Sequence, residues 1–369
     1  MDSTRPELRS AAMALALLAL ILYGSLYPFV FQRVTVPANL LAALWTTARF
    51  PANRGDVVSN ILLYLPLAFF AVRAFPRISP VALAVLAAIA GAILSTSIEL
   101  AQFYDYGRNP NFYDAAANTT GAALGGVAGV AVRRVSTAML LLAAWFGSRL
   151  VPFLPSFSLH KYTLALRLFF TPVDVLDFFR YFTLWLVAAA LIPSVFEKQR
   201  SGRILLCGIF LVFAARIVLV DTLLTASEVA GAIAAATVWI GFLSRLEPRA
   251  KVVCAILAAF IAVFIAIDAL RPFHFNPAPR HFGLVPFRSF MDGPRENGSR
   301  VFLEKTFIYG SLLWLLRRSG ISLALATVLA LALVLPSRLA QVYLPGRSAE
   351  ITDALMVLMF AGLMALLPE

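Results

Sequence analysis

The sequence predicts an all-α, polytopic transmembrane bundle of about twelve spans, built from three related four-helix units. Three observations predict it. The 369-residue chain is 61% hydrophobic and only 14% charged. Its apolar runs recur at about 17–22 residues, the length that crosses a bilayer as helix. A Pro-Phe dipeptide closes an apolar run at three nearly evenly spaced places, and a Leu-Ala-Gln string occurs twice, which is the signature of internal repetition.

The spans are expected at 11–31, 57–75, 80–103, 112–132, 136–154, 176–195, 203–220, 222–243, 251–270, 302–317, 320–342 and 349–367. The first follows Arg5 and Arg9 as a signal sequence would, but it is too long for an h-region and lacks a small-residue exit. It reads as a retained helix. Arg73/Arg77, Arg133/Arg134, Lys198/Arg200/Arg203, Arg245/Arg249/Lys251 and Arg317/Arg318 fall in connections on one side. Short basic loops resist translocation, so these mark the cytoplasm and predict both termini inside. The turns 104–111, 221–223 and 343–348, with the longer connections 32–56, 155–175 and 271–301, then face outward.

A net charge of +12 raises the question of nucleic acid, yet the basic residues are scattered between apolar runs, so no nucleic-acid partner is expected. Cys207 and Cys254 lie inside predicted spans without paired spacing. Neither a disulfide framework nor a zinc site is indicated. His160, His274 and His281 lack nearby co-ligands in sequence, so no metal and no cofactor is expected.

The repeat is read from two markers. Pro28-Phe29, Pro152-Phe153 and Pro272-Phe273 end the first helix of each unit, predicting boundaries at 1–135, 136–247 and 248–369. Leu100, Ala101, Gln102, Tyr104, Gly107, Arg108, Asp114 and Ala115 meet Leu339, Ala340, Gln341, Tyr343, Gly346, Arg347, Asp353 and Ala354 at a constant offset of 239 (Gln102 to Gln341, Arg108 to Arg347). The middle unit keeps only Arg216, Asp221 and Glu228 near the matching region and reads as degenerate. Units with an even number of spans share one orientation, so the repeats are parallel.

Polar residues in so apolar a chain are costly to bury and mark function by default. Glu99 and Gln102 share a helix face at the outer end of the third span. Asp114, Asn118, Gly121 and Gly125 form one stripe on the fourth, and Asp114 opens that helix, where a carboxylate favours the dipole and can cap free N–H groups. Asp56 and Asn60 lie four apart on the second span, ahead of Pro66, which removes a helical hydrogen bond. Asn60, Glu99, Gln102, Arg108, Asp114 and Asn118 are the candidate ligand-binding set. Two readings stand side by side: a pocket near the outer leaflet, or an architectural network in which the glycines allow close helix approach and Arg108 locks a hairpin.

D-x-x-x-N-x-L-x-Y-x-P at 56–66, x-x-x-E-x-x-Q ending at Gln102 with Thr96 in the leading Ser place, G-R at 107–108 and D-x-x-x-N-x-x-G-x-x-x-G at 114–125 together resemble the VanZ-like family of bacterial membrane proteins. The resemblance covers about 12–133 well and 251–367 more loosely. Ala68 stands where the family usually has a small residue such as Gly. The resemblance implies a four-to-five-helix domain in the bacterial cytoplasmic membrane, named for association with resistance to the glycopeptide teicoplanin. Membrane lipids are the expected surroundings, and the polar set is expected to bind an anionic envelope lipid or cell-wall precursor. A transporter or lipid translocase is the second reading, and a purely structural membrane protein the third. An intramembrane enzyme using Glu99 or Asp114 as base lacks an evident nucleophile or metal. The segment 156–172 has the character of an interfacial amphipathic helix or a lid.

Overall fold

The structure is a computed structural model describing residues 5–32, 37–48, 54–105, 107–132, 134–220, 222–246, 250–291 and 295–367. Arg133, Asp221 and Arg249 lie outside them. The chain divides into two compact units, Met1–Arg134 and Val135–Glu369. The boundary expected near residue 247 lies inside the second.

The first unit contains α1 (Arg5–Leu26), α2 (Leu40–Thr46), α3 (Arg54–Arg73), α4 (Pro80–Gln102) and α5 (Phe112–Ala131). Asn39, Ser79 and Asn111 are the N-caps of α2, α4 and α5, each accepting a hydrogen bond from a backbone N–H of the first turn. The cap of α5 is therefore Asn111, three residues before the Asp114 expected in that role. Helix α3 runs through Pro66, as the span expected at 57–75 does. Helix α5 is the centre of the unit because its glycines admit two neighbours. A Cβ added at Gly121, Gly125 or Gly129 would fall 2.2, 2.1 or 2.5 Å from the carbonyl oxygens of Ile61, Leu65 and Phe69, successive turns of α3. On another face, Gly126 approaches Ala84 and Ala87 of α4. Small residues at this spacing let helix backbones touch, so the glycine stripe is packing. Ile21, Tyr64, Ala68, Ile98 and Ala122 form the core, and Ala68 is one of its buried members.

The second unit contains α6 (Thr137–Leu150), α7 (Leu159–Phe169), α8 (Val175–Leu191), α9 (Ser201–Val218), α10 (Ala226–Gly241), α11 (Ala250–Leu270), α12 (Arg288–Met291), α13 (Arg295–Arg318), α14 (Leu323–Ala340) and α15 (Thr352–Leu366). Helix α8 packs on α10, and α13 packs on α6, α11, α14 and α15. Trp145 meets Trp185 edge-to-face and lies tilted against Phe307, with ring centroids 5.4 and 4.8 Å apart, in the buried core. Helix α7 occupies the predicted amphipathic segment, flanked by exposed Phe157 and Phe170.

A helix occupies each of the twelve predicted positions, and among the described residues eight are long and apolar enough to cross a membrane. Helices α6 and α15 are apolar but shorter, at 14 and 15 residues. Helix α5 is diluted by Asp114, Asn118, two threonines and four glycines, and α13 begins with a polar half that includes Arg300, Glu304 and Lys305. The chain thus has the helices of a multi-pass membrane protein.

Three places share one backbone form. Phe29, Phe153 and Phe273 follow cis prolines with φ of 61°, 59° and 65°. Their N–H groups donate to Leu26, Leu150 and Leu270 at 2.8, 2.7 and 2.8 Å. Three residues further on, the N–H groups of Gln32, Ser156 and Asn276 donate to the carbonyls of Tyr104, Val218 and Tyr343. Each of these carbonyls lies at or just past the end of a long helix: α4, α9 and α14.

Candidate functional site

The end of a helix leaves four carbonyls without partners, and burial makes those costly unless side chains supply donors. Helix α1 ends at Leu26, and two predicted site residues answer its carbonyls. Gln102 Nε2 donates to Ser25 O at 2.9 Å. Arg108 donates through Nε to Tyr27 O at 2.7 Å and through Nη2 to Gly24 O at 2.9 Å. Gly107, at φ 85°, turns the chain so that Arg108 faces back toward α1. Buried Asp105 completes the closure by accepting from Val30 N at 3.1 Å.

The same device recurs in the second unit. Gln341 Nε2 donates to Ala269 O at 2.8 Å, and Arg347 donates to Arg271 O at 2.8 Å and Asp268 O at 2.7 Å, with Gly346 at φ 71°. Acceptors and donors keep their offsets: Ser25 to Ala269 and Tyr27 to Arg271 are both 244 residues, as the donors are both 239.

Glu99, Asp114, Asn118 and Asn60 are buried in the first unit, all at most 6% exposed. Glu99 Oε2 accepts from the backbone N–H of Asn111 at 2.8 Å. Asn111 in turn accepts from Tyr113 N at 3.0 Å and reaches Asp114 Oδ1 through Nδ2 at 3.5 Å. Thr47, after α2, accepts from Phe112 N at 3.3 Å. One turn further along α5, Asn118 Nδ2 donates to Ser95 Oγ at 2.8 Å, leaving its Oδ1 buried without a hydrogen-bond partner among the described residues. Tyr64, buried on α3, lies within electrostatic reach of Ser95 and Glu99. The six predicted residues thus fall into two groups. Gln102 and Arg108 close the end of α1. The other four are buried: Asn111 joins Glu99 to Asp114, Asn118 pairs with Ser95, and Asn60 lies one turn before Tyr64 on α3. Asn111, Asp105 and Thr47 were missed as members. For Asn111 the signal existed, since Asn-x-x-Asp ahead of an apolar run is a capping pattern.

The counterparts in the second unit carry ion pairs. Asp353, at the offset of Asp114, is bound by Lys305 Nζ at 2.6 Å and by the Arg338 guanidinium. Arg338, at the offset of Glu99, also donates to Tyr309 Oη at 3.0 Å and to Gln341 Oε1 at 3.0 Å. Glu228, fully buried at the start of α10, is bound by both Arg149 and Arg216, themselves buried. Sequence reasoning found Arg216 and Glu228 but not Arg149, 79 residues from its partner. Just past the end of α11, Arg271 bonds Asp177 in the first turn of α8 at 2.6 Å and approaches Asp174 at 3.4 Å. The bond to Asp177 holds its guanidinium above the usual arginine range.

Residues 10–133 match the family model described as VanZ/LLP1. No curated protein and no solved structure matches the chain.

Proposed function

We propose, from the match of residues 10–133 to the VanZ/LLP1 family model, that the chain is a bacterial envelope membrane protein of three VanZ-like four-helix units, only the first of which handles a ligand. Both termini lie inside, so the 104–111 hairpin and the Glu99–Asp114 cluster face the outer leaflet. Three recurrences support the repeat: the Pro-Phe backbone form, the bond four residues after each proline, and the Gln–Arg closure in the first and third units.

One observation carries the division of labour. Positions equivalent to Glu99 and Asp114 hold Arg338 and Asp353 in the third unit, where an ion pair and a tyrosine hydroxyl satisfy them from within the chain. The fold therefore stands without the first unit's acid–amide set, whereas the Gln–Arg closure appears in both. Gln102 and Arg108 are read as architecture. Asn60, Glu99, Asp114 and Asn118 are read as the ligand-handling residues, with the Asn118 oxygen as an open acceptor. A buried acceptor without a donor costs free energy that a ligand hydroxyl, amide or ammonium recovers on binding. The ligand class is an envelope lipid or cell-wall precursor bearing such donors, which connects the site to teicoplanin-type resistance.

The test is co-purification. Lipids and precursors bound to wild-type protein are compared by mass spectrometry with those bound to Asn118→Ala and Glu99→Gln, at matched membrane abundance. Loss of one species from both variants supports the reading; an unchanged complement refutes it. A teicoplanin susceptibility assay of the same strains then decides whether that ligand bears on resistance.

A further inference from the structure

Away from the first unit, a groove of about 480 Å³ opens along α9 against the end of α6. Its walls are apolar: Phe146 from α6, and Cys207, Gly208 and Leu211 from α9. Gly208 makes the depth, because a Cβ there would meet the Phe146 ring at 3.2 Å. At one end the walls change character. Arg200 and Arg203 form the mouth, both exposed, at the N-terminal end of α9. Arg200 pairs with exposed Glu197 at 3.1 Å, while no carboxylate among the described residues lies within salt-bridge distance of Arg203. The mouth therefore keeps net positive charge.

We propose that this groove seats an acidic phospholipid, with one acyl chain along α9 and the phosphate at Arg200 and Arg203. Dimensions and charge argue for that occupant together. From Arg203 to Leu211 the helix axis rises about 12 Å, close to the depth of one leaflet's hydrocarbon core. An apolar trough along a helix long enough to cross the membrane is filled by lipid tail unless protein covers it. A polar end carrying arginine selects the headgroup, since basic side chains at the membrane surface each favour anionic lipid by about fivefold. The headgroup end coincides with the basic connection 198–203, the side that carries anionic lipid when the termini lie inside.

Native mass spectrometry of the full chain, purified in detergent and supplied with phosphatidylglycerol or phosphatidylcholine of identical acyl chains, tests the assignment. Wild type is expected to retain phosphatidylglycerol at least about fivefold over phosphatidylcholine. Arg200→Gln combined with Arg203→Gln should equalise the two lipids. Cys207→Phe, which fills the trough, should lower retention of both. Equal retention by wild type, or a preference that survives the double substitution, overturns the proposal. Should the double variant fail to fold, the wild type in high salt replaces it: screening must reduce the preference, and a preference indifferent to salt overturns the headgroup assignment.

Discussion

The Arg108 guanidinium donates through Nε to the main-chain carbonyl of Tyr27 at 2.7 Å, fastening the turn after α4 to the end of α1. Its second bond, to Gly24 O, makes the contact two-pronged. Lysine presents a point charge and cannot span both carbonyls. Arg108→Ala and Arg108→Lys are each expected to lower stability by about 1.5–3 kcal/mol, the range for hydrogen bonds to charged groups. Arg347→Ala should behave alike. Thermal unfolding in detergent, read beside membrane abundance, checks this; a fully stable Arg108→Ala protein lacking its ligand would return Arg108 to the binding site.

Gly125 faces Leu65 O across the α3–α5 contact, with room for no Cβ. Gly125→Ala should separate the helices at a cost of about 1–3 kcal/mol, the usual range for overpacking. Gly362 has nothing within 4 Å, so Gly362→Ala should be neutral or slightly stabilising. The contrast between the two substitutions in one unfolding series is the measurement.

Glu228 compensates two buried guanidinium groups at once. Removing one member of a buried ion pair leaves uncompensated charge, at about 3–5 kcal/mol. Glu228→Gln should therefore reduce membrane abundance sharply, and Arg149→Met with Glu228→Gln should recover part of it. Quantitative immunoblotting of membranes is sufficient.

Asn118 and Ser95 share one hydrogen bond inside the first unit. A single neutral bond contributes about 1 kcal/mol, so Asn118→Ala and Ser95→Ala should each be mild in stability and non-additive together. Only Asn118→Ala should remove the bound ligand. A double-mutant cycle on unfolding, run alongside ligand retention, separates the two effects.

The helices were legible because each apolar run is long and bounded by Arg, Pro or Ser, and every predicted span overlaps a helix. Membrane crossing was less so. Helix α5 spends its apolar character on Asn118 and four glycines that pack rather than partition. The Gln102–Arg108 pair was visible as a repeated string, but its task was not. Both side chains reach back some 75–85 residues to α1, and no local periodicity encodes that partner. Arg149 was missed for the same reason: its position is set by the packing of α6 against the other helices of the second unit, not by spacing along its own. Asn111 was within reach of sequence rules and was passed over in favour of Asp114, whose carboxylate drew the capping role.

The central claim is that the acid at 114 serves a ligand while its counterpart at 353 serves the fold. Asp114→Asn and Asp353→Asn, measured side by side for membrane abundance and for envelope lipids or precursors that co-purify, test it most directly. The account predicts that Asp114→Asn keeps its abundance and loses a bound species, and that Asp353→Asn, which leaves Lys305 and Arg338 uncompensated, loses abundance. Equal loss of abundance in both variants, with the remaining Asp114→Asn protein carrying the wild-type complement of bound molecules, would contradict it.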